Sequence, residues 1–125
     1  RRTNGEICRA LQDGALVACF PEGATTLGDG VGRFHPGLFQ PAIDAGAAVL
    51  PAVLRYLDPH GQRSDATAYV GEDSLIKSVW LLVSARLLVA ELTFLAPIMA
   101  AGIERRELSG NIRDAILERL NTPPA

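Results

Sequence analysis

The apolar positions of the chain change their period several times, and each change marks an element. From Thr3 to Gly14, Ile7, Cys8 and Leu11 share one helical face, so the spacing predicts a helix. Thr3 and Glu6 fit a capping box at its start, and Gly14 fits its stop. Ala15–Phe20 (A-L-V-A-C-F) is continuously apolar, as expected of a strand covered on both faces, and Pro21 ends it. A glycine-rich loop, Gly23–Arg33, leads to a short helix over Pro36–Ala45 stopped by Gly46. Ala48–Tyr56 reads as a second apolar strand, with Pro51 marking a bulge or an edge.

Beyond the polar turn Asp58–Asp65, Thr67–Val70 is a short third strand. Asp73 or Ser74 caps a helix reaching towards Ala85, with Leu75, Val79 and Leu82 on its buried face. Leu87–Leu95 reads as a further strand. Leu108, Ile112, Ile116 and Leu120 recur every fourth residue within Glu104–Leu120, an amphipathic helix closed by Asn121 and the Pro123-Pro124 stop. Helices and apolar strands in alternation predict an α/β architecture, a mixed and mostly buried sheet flanked by helices.

One stretch, Val79–Ala101, is apolar enough for a spanning helix of about 20 residues. Arg86 and Glu91 fall near its middle, at a cost of roughly 2.5–3.5 kcal/mol each. A helix followed by a strand accounts for the segment without that cost, and the spanning reading is set aside.

Composition narrows the function. At 125 residues with 48% hydrophobic positions, the chain is long enough for one domain with a core. Twelve basic against 14 acidic residues leave no basic surplus of the kind a nucleic-acid binder carries. Two cysteines, Cys8 and Cys19, make neither a disulfide framework nor a metal cluster, and read as small buried residues in a reducing compartment. The first residue is Arg1 and the only methionine is Met99, so the chain is expected to be either a processed product or the back portion of a longer protein.

Three motif-like patterns fail on inspection. Gly23 and Gly28 open like a phosphate-binding P-loop, but Asp29 and Gly30 stand where Lys and Ser or Thr belong. Gly28 and Gly30 open like a dinucleotide fingerprint, but Arg33 takes the place of its third glycine. His60 and Asp65 have the spacing of a base and its orienting carboxylate, yet they lie in the most polar turn of the chain. Hydrolysis by that pair also lacks a nucleophile elbow. His35 reads as a starter of the short helix behind it.

Phe20-Pro21-Glu22-Gly23 is different. A carboxylate directly after a buried strand, between a proline that stops the strand and a glycine that lets the backbone turn, suits the ligand-binding end of an α/β sheet. Glu22 then points into a cleft edged by the hydroxyls of Thr25 and Thr26. The plain alternative is a loop glutamate facing water.

F-P-E-G-A-T-T, followed by R-F-H-P-G-L-F-Q-P-A-I-D-A-G and V-L-P-A-V, resembles the lysophospholipid acyltransferase family of the 1-acylglycerol-3-phosphate acyltransferase type. The likeness runs from about Ile7 to Pro51 and more loosely through Tyr69-Val70-Gly71 and the last helix. It implies a glycerol-3-phosphate acyltransferase-like fold, incomplete at the N-terminus, with residues 1–125 as the C-terminal part of a single acyltransferase domain. It also implies that Phe20, Pro21, Glu22, Gly23, Thr25, Thr26 and Pro51 bind the acyl acceptor. Ala24 replaces the family's threonine and Thr25 stands where an arginine is usual, which favours a lyso-aminolipid acceptor over a phosphomonoester. Arg33 is a candidate substitute for that charge.

The resemblance implies transfer of a fatty acyl group from acyl-CoA or acyl-carrier protein to a lysolipid hydroxyl, with the thioester as substrate and no resident cofactor or metal. In the family a histidine and aspartate in an H-x-x-x-x-D block do the chemistry, and no histidine precedes Phe20 here. The catalytic pair, a membrane anchor and most of an arginine-bearing second block (Arg1 and Arg2 being at most its tail) are thus expected upstream, and this chain alone is expected to be inactive. The intact enzyme is expected at the cytoplasmic face of a membrane, the inner membrane in a bacterium. Unpaired sheet edges predict self-association of the isolated chain. A non-catalytic lipid- or partner-binding domain on the same scaffold is the alternative.

Overall fold

In the computed structural model, described over residues 2–23, 30–62, 87 and 89–122, helices and short strands enclose one small core. Helix α1 (Arg2–Gln12) starts before Thr3, so Thr3 lies inside the first turn and does not cap it. Gly14, at φ +84°, ends the helix where the sequence places the stop. Ile7, Cys8 and Leu11 are half-buried on the face that packs against α2 (Gln40–Ala45). A single 3-10 turn, Pro36–Phe39, precedes α2, and Gly46 closes α2 in the left-handed region at φ +63°.

Residues 15–20 form no strand. All six are exposed, Leu16 at 97% and Phe20 at 82%. An apolar run supplies side chains for two covered faces, but a strand also needs a neighbouring ladder for its N–H and C=O groups. No described strand pairs with this one. Cys19 is consequently exposed rather than buried, whereas Cys8 is half-buried.

The stretch expected as one strand over Ala48–Tyr56 is two, β1 (Ala48–Val49) and β2 (Ala52–Leu57). β1 pairs antiparallel with β4 (Ile98–Met99), and β2 pairs antiparallel with β3 (Val89–Phe94). Val49 faces Ile98 and Ala52 faces Phe94, so residues 50–51 oppose residues 95–97. That one-residue mismatch is a bulge, and Pro51 and Pro97 stand on its two sides, where neither has an N–H to give to a ladder. Pro51 is buried, and its carbonyl accepts from the Leu95 amide at 2.9 Å. β3 falls within the expected Leu87–Leu95; β4 is too short for any periodicity to announce it.

The mixture of helices and strands is as expected, but among the described residues the pairing is neither mixed in direction nor mostly buried. Both described pairs are antiparallel and two-stranded. On one face of β2–β3, Val53 is buried towards helix α3 (Arg105–Leu120). On the other, Leu54, Leu92 and Phe94 are exposed. A helix covers only the face it packs on, and no described element lies over the second. The expected strand Thr67–Val70 and helix reaching Ala85 lie outside the described residues.

The core joins Phe34, Phe39, Ala100, Leu108 and Ile112, with the two phenylalanine rings 6.4 Å apart. α3 contributes Leu108 and Ile112 on its predicted apolar stripe, and Ile116 packs at the margin. Leu120 is half-buried. Glu104 caps the helix, its Oε2 accepting from the amides of Arg106 at 2.8 Å and Glu107 at 3.3 Å. No described helix is long and apolar enough to cross a membrane.

Candidate functional site

Phe20-Pro21-Glu22-Gly23 forms a tight turn. The Gly23 amide donates to the Phe20 carbonyl at 3.3 Å, and Gly23 takes φ +70°, a region open to glycine. A Cβ at Gly23 would also lie 3.4 Å from Nε2 of His35. His35, exposed at the start of the 3-10 turn, donates its own amide to the Pro21 carbonyl at 3.0 Å. The residue expected to start a helix therefore also ties that start to the turn.

Glu22 is half-buried rather than facing open water. Its Oε1 accepts the backbone N–H of Gly32. Only glycine suits position 32 without displacement, because a Cβ there would sit 3.1 Å from that same oxygen. The two bonds, Pro21 to His35 and Glu22 to Gly32, close the base of the glycine-rich loop. From α3, Arg113 holds the same residues from the helix side: Nε donates to the Gly32 carbonyl and a terminal nitrogen to the Val31 carbonyl, each at 3.0 Å.

The structure thus brings Pro21, Glu22 and Gly23 together with Gly32, His35 and Arg113. Phe20 lies at the edge of the turn with its ring exposed. Arg33 is exposed beside Gly32. Thr25 and Thr26 lie outside the described residues. Pro51 lies in the bulge between β1 and β2. His60 sits in an exposed turn in which Asp58 Oδ1 accepts from the amides of His60 at 2.8 Å and Gln62 at 2.9 Å. That is ordinary Asx-turn chemistry, and Asp65 lies outside the described residues.

Chemically, a carboxylate with one oxygen bound by an amide is an oriented acceptor, ready to take a hydrogen bond from a hydroxyl or ammonium through its remaining lone pairs. Sequence reasoning missed Gly32 and Arg113. Gly32 looks like one more loop glycine, and Arg113 like any polar position on an amphipathic helix.

Residues 2–55, which include this turn and its clamp partner Gly32, match the family model described as Acyltransferase. Over 114 residues the chain is 39% identical to a 1-acyl-sn-glycerol-3-phosphate acyltransferase of Neisseria gonorrhoeae, covering 90% of this chain and 44% of that protein. The chain belongs to the acyltransferase family. The corresponding protein of Neisseria meningitidis is also 39% identical over 114 residues. A lyso-ornithine lipid O-acyltransferase of Pseudomonas aeruginosa is 29% identical over 116 residues, 93% of this chain and 45% of that protein. This acyltransferase chain therefore spans less than half the length of the curated relatives it matches. No solved structure gives a significant match. Arg113 lies outside the part that the family model matches.

Proposed function

We propose that the protein transfers a fatty acyl group from an acyl thioester, acyl-CoA or acyl-carrier protein, to the hydroxyl of a lysophospholipid or related lysolipid. The observation that carries this reading is Glu22, fixed by the Gly32 amide at the exit of the F-P-E-G turn. The residues taken to bind the acceptor are Phe20–Gly23, Thr25, Thr26 and Pro51, as the family resemblance implies. The acceptor oxygen bonds to the acyl carbon, the C–S bond breaks, and the hydroxyl proton leaves with the help of a base. No H-x-x-x-x-D pair precedes Phe20 in these residues, so the chain binds and orients without supplying that base.

The relatives' names offer two acceptors, a 1-acylglycerol-3-phosphate and a lyso-ornithine lipid. Thr25, standing where the family usually has an arginine, favours the second, because a guanidinium is the fork that grips a phosphomonoester. The enzyme works at the cytoplasmic face of a membrane, where its lipid acceptor and product reside, and needs no resident cofactor.

Thioester release tests the reading. The 125-residue chain alone is expected to show no turnover with either acceptor. In the intact protein, Glu22→Ala should sharply reduce acyl transfer while the unfolding midpoint holds. Unchanged kinetics would refute the role of Glu22. Lysolipid binding without any transfer by the intact protein would favour a non-catalytic binding domain.

A further inference from the structure

The Val31 carbonyl and the Gly32 N–H belong to one planar peptide group, and they point in opposite directions across it. Arg113 donates to the oxygen at 3.0 Å, and Glu22 accepts from the hydrogen. A cation thus sits at the negative end of the peptide dipole and an anion at its positive end. Each bond polarises the group in the sense that strengthens the other. Arg113 also donates Nε to the next carbonyl, Gly32, at 3.0 Å, so its planar fork fixes two successive carbonyls.

We propose that Arg113 is a positioning residue for the acceptor end of the acyl-transfer site. It acts through the Val31–Gly32 peptide to hold the Glu22 carboxylate in one orientation. The inference rests on the reading of Glu22 as an acceptor-binding group. Three features of the fold carry it. Arg113 stands one position after the buried Ile112 on α3, so its backbone is held by the core. Phe34, two residues beyond Gly32, is buried in that same core and brings the loop's return within reach of the helix. The guanidinium gives one hydrogen bond to the peptide on which Glu22 depends and a second to the carbonyl that follows it. A binding group held by a rigid element in this way keeps the geometry that a loop alone loses.

The acceptor and donor Michaelis constants of the intact protein test this against a merely structural role. Arg113→Ala should raise the acceptor KM by roughly 10- to 100-fold, the size of effect expected when a binding group is misplaced by about an ångström. The donor KM should not move. Arg113→Lys, which keeps the charge but offers no planar fork, should recover part of the loss. If Arg113→Ala does not fold, Arg113→Lys carries the test, with a smaller rise confined to the acceptor KM. A fall in kcat with both KM values unchanged, or equal rises in both KM values, would overturn the proposal. Glu22→Ala separates the two levels. If it raises the acceptor KM and neither Arg113 variant does, Arg113 is not a positioning residue and the acceptor reading stands. If Glu22→Ala itself leaves the acceptor KM unchanged, the acceptor reading fails and this proposal falls with it.

Discussion

Arg55 and Glu91 face each other directly across β2 and β3, and their charged groups approach to 3.6 Å on the side of the ribbon that α3 covers. A second arginine, Arg119 at the end of α3, reaches the same carboxylate oxygen at 3.5 Å. Arg55 also donates to the carbonyls of Arg119 and Thr122, the latter at 3.0 Å, just where a helix leaves carbonyls unsatisfied. One guanidinium therefore joins the strand pair to the helix end, and the positive charge suits the negative end of the helix dipole.

Arg55→Ala should lower stability by about 2 kcal/mol, the scale of lost hydrogen bonds to a charged group. Urea unfolding of the intact protein measures it. Glu91→Gln keeps the shape but removes the negative charge that Arg55 and Arg119 both approach, and a cost of similar sign is expected. An unmoved midpoint for both variants would show that the cluster does not join strand and helix.

Leu108 and Leu16 form a contrasting pair. Leu108 is completely buried and Leu16 is 97% exposed. Leu108→Ala should cost about 2–5 kcal/mol through lost burial and the cavity left behind. Leu16→Ala should stay within about 0.5 kcal/mol of the parent chain. Thermal unfolding of the two variants side by side checks the placement of the core.

The exposed apolar groups on residues 15–20 and on the open face of β2–β3 should make the 125-residue chain self-associate. Sedimentation over a range of concentrations should show growing mass. Phe20→Ser combined with Phe94→Ser should shift the distribution towards monomer. A parent chain that stays monomeric throughout would count against that surface being open.

Cys19 provides a pH test. Cys19 is exposed as a whole residue, but neighbouring atoms partly screen its thiol from water, which penalises the thiolate and pushes the pKa up. In a Cys8→Ser background, alkylation by iodoacetamide near pH 8 should be slower than for a short unstructured cysteine peptide, and should catch up as pH rises. The linkage has a definite sign. The stability this thiol contributes is present below the pKa it has when unfolded, and is lost as pH climbs towards its higher folded value. Alkylation as fast as the peptide at every pH would mean that the thiol is fully solvated.

Much of this chain was open to reading along its length, because the causes are local. The four-residue recurrence from Leu108 specifies α3, and Gly14 and Gly46 stop their helices because a positive φ is open to them at little cost. The Phe-Pro-Glu-Gly order likewise determines a tight turn and, with the two blocks that follow it, marks the family to which the chain belongs. Tertiary structure alone decided the rest. Whether Ala15–Phe20 becomes a strand depends on a neighbour to share its hydrogen bonds, and no period in those six residues supplies one. Pro51 announces an interruption, but the break between two ladders is defined by Pro97 on the returning chain. Arg113 meets Val31 and Gly32 across more than 80 positions of sequence. A side chain's charge says that it will find a partner; only the packing of Ile112 and Phe34 into one core determines that the partner is the peptide on which Glu22 rests.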